Sequence, residues 1–254
     1  MAPETPQLLW SRGSRRPKVT REQIAATALA IADAEGFEAA TMRRIAAELG
    51  AGTMTLYHYV RSKAELKALM LDAIMAEQLV PAGELPTGDW RAALTALASR
   101  TRAMFRRHPW ALTGLAEAAG DAAGGGAAAG GPHALLHFEQ SLAAVASTGL
   151  PPGDRMDVIS ALDEYVAGFV LKTDLEPGLD SVPEEAGPQV AEYLDALVSS
   201  GDYPHVAELL GTGDRWAALA GLGRAYSPDE RFERGLRRLL DGVAAQIAAQ
   251  HLAR

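Results

Sequence analysis

The sequence predicts an all-α fold, in which a small three-helix unit carrying a helix-turn-helix is followed by a larger helical domain. Three observations point to it. Capped stretches with a 3.6-residue apolar period recur along the 254 residues, and no alternating strand pattern competes with them. The run from Thr41 to Lys63, TMRRIAAELGAGTMTLYHYVRSK, reads as a short helix, a Gly-containing turn and a second short helix. A hydrophobic content of 48% over this length is enough to bury the cores of a small domain and a larger one.

The first helix opens at Thr20, which with Gln23 makes a capping box, repeats Ile24, Ala28 and Ile31 at helical spacing, and stops at Gly36. The first helix of the motif is capped by Thr41, buries Ile45 and Leu49, and ends at Gly50, where a left-handed residue is needed. From Thr53 the second motif helix turns Leu56 and Val60 to the core. That leaves Thr53, Met54, Thr55, Tyr57, His58 and Tyr59 largely on other faces. A solvated helix normally carries Lys, Glu and Arg there, whereas hydroxyls, a thioether and phenols suit a helix laid in a DNA major groove. Ile45, Leu49, Leu56 and Val60 are core rather than contact, and Tyr57 could simply pack. Ser62 and Glu65 form a further capping box, opening a helix with Leu66, Leu69, Met70 and Ile74 that runs to Leu79.

Here the chain resembles the tetracycline-repressor (TetR) family of bacterial transcription factors. The resemblance rests on Thr55-Leu56-Tyr57-His58-Tyr59-Val60 followed by Ser62-Lys63-Ala64-Glu65-Leu66, and its DNA-binding part covers Val19 to Ile74. The pattern implies that Arg43, Thr53, Met54, Thr55 and Tyr57 face base edges or a thymine methyl, with Thr41, Tyr59 and Lys63 on phosphates. Double-stranded operator DNA is the expected partner. One short recognition helix reads only a few base pairs, so a homodimer on a palindrome is expected as well.

Charge is distributed accordingly. The chain is acidic, with 24 Lys and Arg against 32 Asp and Glu, which argues against a protein that coats nucleic acid generally. Residues 1–63 hold nine basic and six acidic side chains, leaving fifteen against twenty-six for the remainder. Arg12, Arg15, Arg16 and Lys18 make a basic arm able to follow a phosphate backbone, or equally a solvated tail. Cysteine is absent, no apolar run approaches the ~18 residues needed to cross a bilayer, and no secretory signal precedes the arm, so a cytoplasmic protein is expected.

Beyond a linker punctuated by Pro81, Gly83, Pro86 and Gly88, a helix is expected from Trp90 to Arg107, broken at His108-Pro109 before a short apolar segment from Trp110. Gly120 to Gly131 reads as a Gly/Ala loop, without the preceding strand or the Lys that a phosphate loop needs. Two later stretches, Asp154 to Asp174 and Asp229 to Gln250, carry apolar stripes. The first is Val158, Leu162, Tyr165, Val166 and Phe169; the second is Phe232, Leu236, Leu239, Leu240, Val243 and Ile247. Periodicity alone allows an intramolecular core, while the resemblance implies that these helices pair between subunits as a four-helix bundle. His108-Pro109-Trp110, Tyr203-Pro204-His205 and Arg231-Phe232-Glu233-Arg234-Gly235-Leu236 look like the branch with the tetracycline-repressor type of C-terminal domain. The expected division is a flexible arm over 1–18, the DNA-binding domain over 19–66 and an effector-binding and dimerisation domain over 67–254.

A helical pocket lined by aromatics suits a small, mostly apolar effector, and Trp110, Phe138, Tyr165 and Phe169 are its expected contacts. His133 and His137 have a spacing that could share a metal, but no carboxylate accompanies them at helical spacing, so neither metal nor cofactor is expected. No GxSxG, HExxH or cysteine provides a catalytic constellation. The expected function is a ligand-responsive repressor. The alternatives are an architectural DNA-binding protein without a ligand, and an enzyme carrying a DNA-binding module.

Overall fold

In a computed structural model the described residues are 19–86, 88–113, 131–175 and 187–252, so the basic arm and all but Gly131 of the Gly-rich tract lie outside them. The chain divides into two compact units: the described parts of 1–79 with 107–137, and those of 80–106 with 138–254.

Unit 1 begins with α1 (Arg21–Glu35), whose capping box forms as expected. Gln23 N–H donates to the Thr20 hydroxyl at 3.2 Å and the Gln23 side chain accepts from Thr20 N–H at 3.0 Å. Gly36, at φ 88°, turns the chain into a 3₁₀ turn, Phe37–Ala39. Then come α2 (Met42–Glu48), α3 (Thr53–Tyr57) and α4 (Lys63–Gln78). Thr41 caps α2 by accepting from Arg44 N–H at 3.2 Å, and Gly50 at φ 60° supplies the left-handed residue that separates α2 from α3. Ile24, Ala28, Ile45, Leu56, Leu66 and Met70 share one closed core, with Leu49 and Tyr59 packed half-buried at its edge. The capping box at α4 is altered. Ser62 accepts from Glu65 N–H at 3.0 Å, but the Glu65 carboxylate takes Arg61 N–H at 2.7 Å, one residue earlier than the simple pattern requires.

Unit 2 is built on α5 (Trp90–Arg107, its last residue in unit 1), with the end of α6 (Pro132–Val145), α7 (Pro152–Phe169) and α11 (Pro228–Leu252). Asp89 caps α5 by accepting from Ala92 N–H at 3.0 Å, and α5 buries Ala93, Leu94, Leu97, Ala98, Met104 and Phe105. α7 passes into a wider π-helical segment, Val170–Leu175. Three helices that the sequence pattern did not delimit follow: α8 (Gly187–Ser199), α9 (Pro204–Leu210) and α10 (Arg215–Arg224), packed on one another. Ser227 and Glu230 form the predicted box before α11. Gln246 and Gln250 donate to Asp154 at one end, and Tyr165 donates to the Phe232 carbonyl at the other, so α7 and α11 run antiparallel. No helix among the described residues is long and apolar enough to cross a membrane.

One expectation is narrowed here. Val158, Leu162, Val166, Phe232, Leu236, Leu240 and Val243 are buried within a single chain, so these seven belong to the core of unit 2, while Tyr165, Phe169, Leu239 and Ile247 of the same stripes stay half-buried. A helical stripe reports burial and says nothing of whose atoms bury it. Glycine placement follows the same division: a Cβ at Gly235 would collide with the Tyr165 ring, whereas one at Gly168 or Gly242 would meet nothing within 4 Å. Leu236→Ala is therefore expected to lower the unfolding free energy in urea by about 2–5 kcal/mol while leaving the oligomeric state unchanged in sedimentation. Dissociation into folded monomers would contradict this packing.

Candidate functional site

Helix α3 has five residues and only Leu56 in the core, so its remaining side chains are displayed. Met54 is 74% exposed and Tyr57 42%, with Thr53 and Thr55 half-buried beside them. A thioether and a phenol held in water on a helix that follows a Gly-containing turn make the surface expected for reading base edges and thymine methyls. Arg43, the second residue of α2, is exposed, and its guanidinium makes no ion pair or hydrogen bond among the described residues. The neighbouring Arg44 is occupied instead, held by Glu35 at 3.1 Å and Glu48 at 3.0 Å. Two adjacent arginines thus differ in availability, one structural and one free.

The expected phosphate contacts differ among themselves. Thr41 is exposed, and its oxygen accepts the α2 cap while its O–H remains able to donate outward. Tyr59 packs its ring half-buried against the core, and its carbonyl accepts from Arg21 Nε at 3.3 Å, tying the start of α1 to the end of the recognition segment. Lys63 pairs with Glu38 at 2.5 Å and lies 5.3 Å from the Phe37 ring centre. Both partners of that pair are exposed, so it contributes little and is readily exchanged for a phosphate. Arg61, not singled out by the sequence pattern, is exposed with no side-chain partner among the described residues. Its position between the recognition segment and Lys63 was the signal that could have found it.

In unit 2 the aromatics Tyr165 and Phe169 come together with Phe232, at ring separations of 6.0, 5.5 and 5.2 Å. Arg102 covers this cluster, 5.0 Å from the Phe169 ring centre and 4.6 Å from that of Phe232. Its guanidinium grips Asp174 with two bonds, at 2.9 and 3.0 Å, and reaches Asp229 at 2.9 Å. Burial alone would lower the Arg102 pKa, but the two carboxylates more than offset this and raise it. Burial also pushes the Tyr165 hydroxyl above its ordinary value. Between α5 and α11 runs a groove of about 310 Å³, floored by Phe232, Leu236 and Leu240, with Thr95, Ser99, Arg91 and Arg237 on its walls.

Trp110 and Phe138, expected beside these, are placed differently. Trp110 packs within unit 1, stacked on Phe37 at 5.8 Å and donating to Asp33 at 2.8 Å, so its ring face and N–H are both engaged there. Phe138 lies on α6 with 37% of its surface exposed. His133 turns to the Asp72 carboxylate at 2.9 Å, and among the described residues no group of three potential ligands gathers for a metal.

The description "Bacterial regulatory proteins, tetR family" matches residues 24–68, and "Tetracyclin repressor-like, C-terminal domain" matches residues 82–247. The chain belongs to the TetR family. This TetR-family protein is 36% identical over 251 residues to the HTH-type transcriptional repressor DrrR1 of Streptomyces coeruleorubidus, covering 96% of this chain and 86% of the relative. Among solved structures it is similar to apo ActR from Streptomyces coelicolor, with a TM-score of 0.69, 27% identity and coverage of 92% of this chain and 98% of that one. ActR in complex with actinorhodin matches with a TM-score of 0.66 at 27% identity, over 90% of this chain and 98% of that one.

For this TetR-family chain, Arg43→Ala is expected to cost about 1–3 kcal/mol of operator affinity and to relax sequence preference, whereas Lys63→Ala weakens all sequences alike and reduces the salt slope by about one. Glu38→Gln, which frees Lys63 and removes a negative charge beside the phosphates, is expected to tighten binding up to about fivefold. Gel-shift titrations over a range of salt check all three. Unchanged affinity in Arg43→Ala and Lys63→Ala together would move the DNA surface elsewhere.

Proposed function

We propose that this protein is a ligand-responsive transcriptional repressor, working in the cytoplasm as a homodimer on a palindromic operator. The observation that carries the reading is the exposed face of α3, where Met54 and Tyr57 stand in solvent, together with an exposed Arg43 on α2 that makes no ion pair or hydrogen bond among the described residues. Thr53 and Thr55 complete the base-reading set, with Thr41, Tyr59, Lys63 and Arg61 toward phosphates. The DrrR1 relative is named a repressor, which favours repression over activation. No catalytic role is assigned to any residue.

The effector is a small, mostly apolar and planar molecule bound in unit 2, beside Tyr165, Phe169 and Phe232 and along the α5–α11 groove, with Phe138 as a more remote contact. The solved complexes of ActR with actinorhodin and with (S)-DNPA support a small-molecule ligand over an architectural protein without one. Release requires that the ligand prefer the DNA-free form, because equal affinity for both forms shifts nothing. Linkage makes the effect reciprocal. With an operator selected from random duplexes, a planar, mostly apolar compound that displaces the protein must bind more weakly by the same factor once operator is added. Calorimetry giving equal affinity with and without operator would refute release by this route.

The burial of those seven residues of the α7 and α11 stripes supports a dimer surface on the outward faces of the same helices. These carry Met156, Ser160, Gly168 and Leu171 from α7 and its extension, and Gly242, Ala245, Ala249 and Leu252 from α11. Met156 is 40% exposed, Leu171 50% and Leu252 89%, and the small residues between them permit close helix approach. Gly242→Glu with Ala249→Glu is expected to give helical monomers in sedimentation, with operator affinity reduced at least about a hundredfold by the loss of one half-site. A dimer that survives this pair of charges would place the interface on another face.

A further inference from the structure

Both helices that lead from unit 1 into unit 2 are fastened to a carboxylate of α4, one through an arginine and the other through a histidine. The first joint lies at the end of α5. His108 is 3% exposed, with Nδ1 2.7 Å from Asp33 on α1, while its Nε2, 3.2 Å from Glu77 on the last turn of α4, makes no hydrogen bond among the described residues. Arg107 pairs with the same Glu77, and the Trp110 indole donates to the same Asp33 oxygen at 2.8 Å. The second joint lies at the start of α6. His133 donates its backbone N–H to Asp72 Oδ1 at 2.9 Å and brings its ring Nδ1 within 2.9 Å of Asp72 Oδ2. A Cβ at Gly131 would collide with the Asp72 side chain, so the glycine is what lets the start of α6 come this close to α4.

Neither joint is needed to hold the helix-turn-helix together, since the apolar core of Ile24, Ile45, Leu56, Leu66 and Met70 closes without them. Both carboxylates sit on α4, five residues apart, on the helix whose first residue is the Lys63 expected at the phosphates. Apolar packing tolerates sliding, whereas a short, directional, charge-assisted bond does not. A shift of α5 or of α6 is thereby handed to α4 as a displacement, which is how hydrogen-bonded networks carry coupling between sites.

We propose that Arg107 with Glu77 and His133 with Asp72 are two separate positioning joints through which α4 couples operator binding to the helices of unit 2. The proposal rests on the reading of the protein as a ligand-released repressor, but its test needs no effector.

Hydrogen exchange of the full chain is measured with and without the selected operator duplex, in the native sequence, in Glu77→Ala, in Asp72→Ala and in Asp72→Asn, which keeps an acceptor for His133. In the native protein, operator is expected to slow exchange in residues 97–106 of α5 and 138–145 of α6 by about fivefold or more, the low end of an ordinary coupling. Both alanine variants are expected to bind the duplex within about threefold of the native protein, as substitutions away from the contact surface do. Glu77→Ala loses the slowing in α5 and keeps it in α6; Asp72→Ala does the reverse, and Asp72→Asn restores part of it. Slowing that survives in both alanine variants, that vanishes from both helices in either one, or that never extends beyond unit 1 in the native protein overturns the proposal. Failure of every planar, mostly apolar compound tested to release the operator, with the exchange pattern intact, would count against the effector reading alone.

Discussion

A five-residue helix has no stability of its own, and everything this protein can read on DNA depends on holding α3 in place from outside. Isolated helices shorter than about 12–15 residues are marginal in water, because the first turn costs more than its hydrogen bonds return. The structure supplies the missing constraint through Leu56 and Val60, both sunk in the core, and through Gly50, whose left-handed backbone sets the angle between α2 and α3. The core side chains need not meet DNA to decide how DNA is met. Placing only Leu56 inward is also what leaves Met54 and Tyr57 in solvent, so the same economy of anchoring creates the face proposed to read DNA.

Carboxylates organise the rest of unit 1. Glu35 and Glu48 occupy Arg44, and Glu38 holds Lys63 loosely. Asp33, Glu77 and Asp72 fix the helix ends that approach α1 and α4. In unit 2 the arrangement is inverted, with one buried cation, Arg102, gathering Asp174 from the π-helical segment and Asp229 from α11. A buried pair of this kind adds little net stability but becomes costly when one member is removed, so it specifies where those two segments must lie.

Much of this was legible in the sequence because capping chemistry is local. Thr20 with Gln23, Thr41, Ser62 and Ser227 with Glu230 each marked a helix start that the structure keeps, and Trp90 to Arg107 was delimited to the residue. What stayed hidden was long-range. Leu236 and Leu240 carry the same periodicity whether their partner is α5 of the same chain or a second subunit, and only the packed structure distinguishes the two. Trp110 showed an aromatic after a proline, and nothing nearby in sequence announced Phe37 or Asp33, more than seventy residues earlier. The segment from α8 to α10 escaped delimitation because its exposed Tyr193, Tyr203, Val206 and Leu209 blur the apolar stripe that marks a helix. Arg43 and Arg44 are indistinguishable as letters and become different only when Glu35 arrives beside one of them.

The surroundings of Trp110 give the protein an optical property. Its indole is stacked on Phe37 and hydrogen-bonded to the carboxylate that also binds His108, so the emitting group sits against a fixed negative charge at the meeting point of α1 and the end of α5. Trp90 and Trp216 lie in unit 2, in other surroundings. With those two and Trp10 replaced by phenylalanine, the emission colour and quenching of Trp110 become a label-free gauge of whether that corner of the DNA-binding unit is closed, readable on the microsecond-to-second scale of allosteric transitions.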